Sequence, residues 1–321
     1  MKLSGFKVFT SFCLAVLLSA PAWASPSTAN TALPGTVNYV EGQVDVGGQA
    51  LGPKSIGQVT LQAGDSLATS QGKAELLLTP GVFLRLGDNS LAKMISPSLT
   101  NTQVQVQGQA MVEVDDIHPE NNLRIIEDGI PTQLMKTGLY GFDSNHELLQ
   151  VFKGEAAVLE GDKEIKINGG HQFALNAIGK PTAEKLDKNE YAQSDLYRWS
   201  SLRSSYLAEA SIDTSRIYIN YGWWGPGWFG PWGWGGWGWS PWFGAYTFFP
   251  ANGILYSPFG WGFYSPLVVY RSPVLRGPGF YARGGAIHTA PRATAHSGFD
   301  DGGSQGDMGG GFHGGGGMGR K

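Results

Sequence analysis

From Val104 to Phe173 the chain repeats one device, a short run of alternating apolar and polar residues that stops at a glycine. Val104 and Val106, then Ala110, Val112 and Val114, then Leu149 and Val151, then Ile165 and Ile167 fall at every second position, the period of a strand with one buried face. Gly108, Gly129, Gly138, Gly141, Gly154, Gly161 and the pair Gly169 and Gly170 punctuate the runs, and are expected to supply the positive φ of tight reversals. A chain that reverses every eight to twelve residues or so is mainly β, either a sandwich or a wound β-structure.

The upstream segments extend the pattern. GTVNYVEGQVDVGG reads as a hairpin, with Val44 and Val46 alternating on its second arm. Leu76 and Leu78, then Val82, Leu84 and Leu86, flank the Pro80-Gly81 turn pair and are core candidates. About a dozen short strands between Gly35 and Leu175 are enough to fill one core. Asp187 with Glu190 reads as a capping box, followed by Ala192, Leu196, Trp199, Arg203, Tyr206 and Ala210 at helical spacing. Leu196, Trp199 and Tyr206 then pack this helix on the sheet, and Arg198 and Arg203 are expected to be solvated or ion-paired.

The strand and turn motifs resemble the FecR domain, an extracytoplasmic β-domain named after a bacterial iron-citrate sensor. The resemblance lies in VQGQAMVEV, in KTGLYGFD, in VFKGEAAV and in GGHQ, with GKAELLLTPGVFLRLGDNS similar to the opening strands, over roughly residues 66–175. It implies a fold and a partner-binding role and carries no reactive group. Well-known family members pass a signal from an outer-membrane receptor to a sigma factor through a cytoplasmic segment and a membrane helix ahead of this domain. Here the β-domain is expected to follow a signal peptide directly, with neither of those parts.

Charge divides the chain. Residues 25–216 hold 15 Lys and Arg against 23 Asp and Glu, a net of −8, whereas the chain from Ile217 on holds six basic and three acidic residues. Neither part offers the basic patch that a phosphate backbone needs, so nucleic acid is not expected as a partner. Lys2 and Lys7, an apolar stretch over Val8–Ala20, and Ala22-Trp23-Ala24 form a signal peptide with cleavage expected after Ala24. Its removal takes away Cys13, the one cysteine, and with it any disulfide or thiolate metal site. The expected organisation is a signal peptide over 1–24, a FecR-like β-domain over 25–180, a capping helix over 181–216, a Trp/Gly/Pro-rich module over 217–275, and a disordered glycine-rich tail over 276–321.

The module has no charged residue from Ile217 through Tyr270, and Pro226, Pro231, Pro241, Pro250, Pro258 and Pro266 exclude a continuous membrane helix there. Trp223, Trp224, Trp228, Trp232, Trp234, Trp237, Trp239, Trp242 and Trp261 lie among glycines that give little area to pack against. Many of these rings are therefore expected to be exposed and to bind a partner by stacking. Two Tyr-Ser-Pro triplets, at Tyr256 and Tyr264, are spaced for a hairpin or for two short extended arms. Residues 25–215 are expected to fold without the module.

No catalytic or cofactor-binding set emerges. The six histidines stand in no metal-ligand motif, and nucleophile-elbow, P-loop and dinucleotide fingerprints are missing. Asp115, Asp116, His118 and Glu120 read as an acidic solvent loop in preference to a cation site. The sequence points to a non-enzymatic binding or scaffolding protein of the bacterial envelope, periplasmic or on the cell surface, with an envelope protein or glycan as partner and membrane association through the module. Two alternatives are a FecR-type sensor acting through a separate membrane partner and an envelope polysaccharide-binding protein using exposed tryptophans.

Overall fold

In the computed structural model the described residues are 32–175, 182–187, 191–220 and 235–276. The expected signal peptide, the tail from residue 277 and Trp223, Trp224, Trp228, Trp232 and Trp234 lie outside them. The alternating runs form strands and the fold is mainly β. In chain order these are β1 (Val37–Val46), β2 (Gln49–Ala50), β3 (Ser66–Leu77), β4 (Val82–Leu86), β5 (Leu91–Ser98), β6 (Asn101–Gln107) and β7 (Gln109–Val114). They continue with β8 (Arg124–Glu127), β9 (Ile130–Leu134), β10 (Gly138–Asp143), β11 (Leu148–Lys153), β12 (Glu155–Glu160), β13 (Lys163–Asn168), β14 (His171–Ala174) and β15 (Glu184–Lys185). The helix α1 (Asp195–Asn220) follows, then the hairpins β16 (Gly236–Ser240) with β17 (Ala245–Phe249) and β18 (Ile254–Tyr256) with β19 (Gly262–Tyr264), then α2 (Pro266–Arg271) and α3 (Pro273–Arg276).

One hydrogen-bonded path, β13-β12-β9-β8-β6-β5-β3-β4-β7-β10-β11-β14-β15, links the strands, with β1 and β2 attached at β3. The long strand β3 is its fold line. Its first residues, Ser66–Ala68, pair with β5, and its last, Ala74–Leu77, pair with β4. The two wings share one apolar cluster: Met94, Val104, Ile125, Leu134 and Val158 from the β5 side meet Leu76, Leu84, Val112, Phe142 and Phe173 from the β4 side. A single path whose ends contribute to one core must double back on itself, which gives two packed layers. The chain passes between the wings repeatedly, so that β6 and β8 end up side by side and parallel while every other pair is antiparallel. This is a wound β-structure. All five core candidates around Pro80-Gly81 are fully buried in it.

The wings differ in what covers them. β6 alternates half-buried and buried residues, leaving one face toward solvent, as its sequence predicts. β4 is buried at every position, and β7 at all but Gln109. The outer face of this second wing, carrying Glu75, Leu77, Phe83, Arg85, Met111 and Glu113, lies beneath α1 and the aromatic hairpins.

Three local readings change. GTVNYVEGQVDVGG is one bent strand, not a hairpin: Gly42 pairs with Gly72 of β3 and the register shifts there, because a Cβ on either glycine would run into the opposing backbone. Gly108 and Gly154 take the positive φ expected of them, at 75° and 100°. Gly138 and Gly141 do not; they lie inside β10, and their missing side chains leave room for Lys153 and for Gln150 with Phe152. Finally, α1 starts at Asp195 and runs past residue 216 to Asn220. Ser194 is its cap, its Oγ accepting the Tyr197 amide at 3.1 Å. Glu190 of the expected capping box lies outside the described residues.

Candidate functional site

The helix that covers the second wing is polar for a buried element. Ser200, Ser204, Ala208, Ser211 and Ser215 are buried, and at three- and four-residue spacing they make a face of small side chains. Such a face allows close backbone approach on both sides: α1 meets β4 and β7 below and β16, β17, β19 and α2 above. Hydrogen bonds fasten each layer. Thr247 donates to the Leu207 carbonyl at 2.6 Å, and Tyr264 N–H donates to Ser211 Oγ at 3.4 Å. The Asn38 side chain of β1 acts as a piece of strand for β17, donating to the Tyr246 carbonyl at 3.0 Å and accepting the Tyr246 amide at 2.7 Å.

Beneath α1 lies a buried charge network. Arg85, fully buried, donates from Nε to Glu75 Oε2 at 2.8 Å and from Nη1 to Glu113 Oε2. Arg203 of α1 donates from Nη2 to Glu75 Oε1 at 2.8 Å, and its guanidinium sits 4.1 Å from the Tyr39 ring centroid. Asn38 adds a bond to Glu75 Oε1 at 2.9 Å, and Ser204 donates to Glu113. Burial pushes the Glu75 carboxyl up, but Arg203 and Arg85 together pull it further down, to about 2. Arg203 is thus ion-paired as the sequence predicts, while Arg198 is exposed.

Asp115 corrects the solvent-loop reading. It is 2% exposed, and neither carboxylate oxygen has a hydrogen-bond partner within standard geometry. Burial, and next the neighbouring Glu113 charge, hold its pKa well above the usual carboxylate range. Asp116 turns instead toward His118, 3.5 Å away. No group of three or more His, Cys, Asp or Glu among the described residues is placed to hold a metal ion.

Of the nine module tryptophans the four within the described residues divide: three pack against the body, contrary to the exposure expected of many of these rings, and one stands in solvent. Trp237 is 8% exposed and meets Phe83 edge-on at 5.2 Å and Phe248 at 6.0 Å. Trp239 is half-buried, edge-on to Tyr246 at 5.1 Å, and Gly57 lies under it where a Cβ would come within 2.7 Å of the ring. Trp261 packs at the border of the same cluster. The reason is that the rings do not pack on their glycine neighbours: they pack on Leu77, Phe83, Leu207 and Ala208, supplied by the sheet and α1. Trp242 alone stands out, 82% exposed in the turn between β16 and β17. Beside it Phe243 leans on Tyr206 of α1, centroids 6.5 Å apart.

The second predicted hairpin forms. Ile254, Leu255 and Tyr256 face Tyr264, Phe263 and Gly262, so the first Tyr-Ser-Pro triplet ends one arm. In the second triplet Ser265 caps α2, accepting the Val268 amide, and Pro266 is its first residue. The Ser265-Pro266 pair is itself the sequence signal for that helix. No described helix is long and apolar enough to cross a membrane.

No family model matches the chain, and no curated protein matches it. Among solved structures, two crystal structures of a candidate anti-sigma factor from Parabacteroides distasonis are similar, at 12% identity with TM-scores of 0.34 and 0.33. The match covers 40% of this chain and 62% of that one, so this chain spans less than two thirds of the neighbour's length.

Proposed function

We propose that this chain is a non-enzymatic binding or scaffolding protein of the bacterial envelope, built on a FecR-like β-domain and docking through the turn between β16 and β17. One observation carries the reading: Trp242, a large apolar ring, is held in solvent by a hairpin whose other rings are packed into the body. Anchoring the hairpin removes most of the ordering entropy that a free loop would lose on binding, so a single presented ring suffices as an anchor. The partner is an envelope protein or glycan, met by ring stacking and not by charge, since the segment from Ile217 through Tyr270 holds no ionic side chain. Export is proposed from Lys2, Lys7 and the Ala22-Trp23-Ala24 triplet, and a mature N-terminus elsewhere than near Ser25 would argue against it. The docking test is Trp242→Ala in the full chain. Because the ring touches solvent, the variant should keep the wild-type melting temperature while leaving the envelope fraction, and raising salt should not mimic it. Unchanged fractionation of the variant would refute docking at this turn.

A further inference from the structure

We propose that β18 is a pairing edge at which two copies of this chain join antiparallel, strand to strand, independently of Trp242. β18 bonds β19 and no other described strand, so one of its edges is unpaired. Two bonds fix which residues line that edge: Ser257 N–H donates to the Trp261 carbonyl at 2.8 Å, and Ser265 N–H to the Gly253 carbonyl at 3.0 Å. Bonded positions alternate along an antiparallel pair. Leu255 therefore bonds Phe263, its partner in register, while Ile254 and Tyr256 turn their N–H and C=O groups away from β19. No backbone bond reaches those groups from elsewhere among the described residues. The side chains agree: Leu255 packs on the aromatic cluster, whereas Ile254 is 37% and Tyr256 59% exposed.

Strand edges with free backbone groups are ordinarily guarded by charge, proline or cover. β13 carries exposed Lys163, Glu164 and Lys166, β15 is Glu184 and Lys185, and β16 and β17 are buried except at Trp239. β18 is Ile-Leu-Tyr in a segment without an ionic side chain, and has no such guard. A second copy of the same edge fits it. A two-fold axis between Leu255 and its copy sets Ile254 opposite Tyr256 of the other molecule, and Tyr256 opposite its Ile254. Those are the residues whose N–H and C=O groups point outward, so each donates to and accepts from the residue facing it. A β-branched side chain then meets an aromatic one at both positions. The two-stranded sheets of the two copies become one sheet of four strands, which a lone hairpin lacks the pairing to match. A contact of three residues per copy falls well short of the roughly 1,200 Å² of a stable interface, so the dimer is reversible and dissociates on dilution.

The test is sedimentation of the full chain from about 1 μM to about 1 mM, with amide exchange read by NMR at both ends of the range. Mass should rise reversibly from monomer toward dimer. The amides of Ile254 and Tyr256 should gain about tenfold or more in protection at the high concentration, while that of Leu255, bonded to Phe263 in either state, should change less. Ile254→Pro removes an outward N–H and no bond of the hairpin. It should raise the dissociation constant about tenfold or more at an unchanged melting temperature. If that variant does not fold, Ile254→Lys puts a charge on the same edge and is expected to weaken the dimer likewise. Trp242→Ala should dimerise as the parent chain does. A monomer throughout the range, a dimer whose Ile254 and Tyr256 amides gain no protection, a dimer undiminished in the folded edge variant, or one lost in Trp242→Ala would each overturn the proposal.

Discussion

Arg203 joins α1 to a carboxylate 128 positions earlier in the chain. Removing one partner of a buried ion pair strands the other charge, at a cost of about 3–5 kcal/mol. Arg203→Met is accordingly expected to lower stability by roughly that amount in urea unfolding, although Arg85 still holds Glu75 and places the effect toward the lower end. Asp115→Asn should be neutral or stabilising in urea unfolding, because burial and next the Glu113 charge both raise the Asp115 pKa and so disfavour the ionised form, which Asn cannot adopt. The pH dependence follows from opposite signs. The Glu75 pKa falls from 4.5 to about 2 on folding, so its contribution is full above 4.5 and is lost as pH drops toward 2. Glu127 is the reverse. Its carboxyl is buried without a partner, and burial, then Asp128, Asp143 and Glu147, raise it from 4.5 to about 8. The folded state keeps a proton that the unfolded state releases, so stability falls as pH rises from 4.5 to 8. Urea midpoints of Glu127→Gln should decline less across that window than those of the parent chain; an equal decline would contradict the assignment. None of these partners was legible in the sequence. Glu75 in AELLL alternates with the core residues Leu76 and Leu78, and alternation tells which residues share a face and not whether the other face is later covered.

Strand alternation made β6, β7, β11 and β13 and the five core residues around Pro80-Gly81 legible, and the spacing of the two Tyr-Ser-Pro triplets made the hairpin of β18 and β19 legible. The role of α1 was harder to read. Its buried stripe is serine and alanine, which carries little hydrophobic signal, since the helix is packed on two sides and small side chains are what let it fit. Leu196 is buried as expected, whereas Trp199 and Tyr206 are half-buried. Trp199 spends its indole N–H on Glu41, at 3.1 Å. Two substitutions test this account of the element. Ser194→Ala removes the cap and should cost about 1 kcal/mol. Ser204→Leu puts a large side chain into the two-sided contact and removes the bond to Glu113, and should cost more than the 1–3 kcal/mol typical of overpacking alone. A cost no larger than that of the cap variant would show that the stripe does not face the sheet.

At the scale of the molecule the boundary near residue 216 marks a change in composition and not the end of a folded unit. Leu77 and Phe83 belong to the β-domain by sequence, yet their packing partners are Leu207, Trp237, Phe248 and Phe263. The expectation that residues 25–215 fold alone therefore reverses: a chain ending at Ser215 should aggregate or lose cooperative unfolding, because the outer face around Phe83 and the Arg85 network would open to water. Native-state hydrogen exchange on the full chain tests the central claim most directly. The Tyr246 amide, bonded to the Asn38 side chain, and the Leu84 amide, inside β4, should open with the same free energy, that of global unfolding. Fast exchange at Tyr246 beside full protection at Leu84 would contradict it, and would show the aromatic hairpins to be an appendage on a β-domain complete without them.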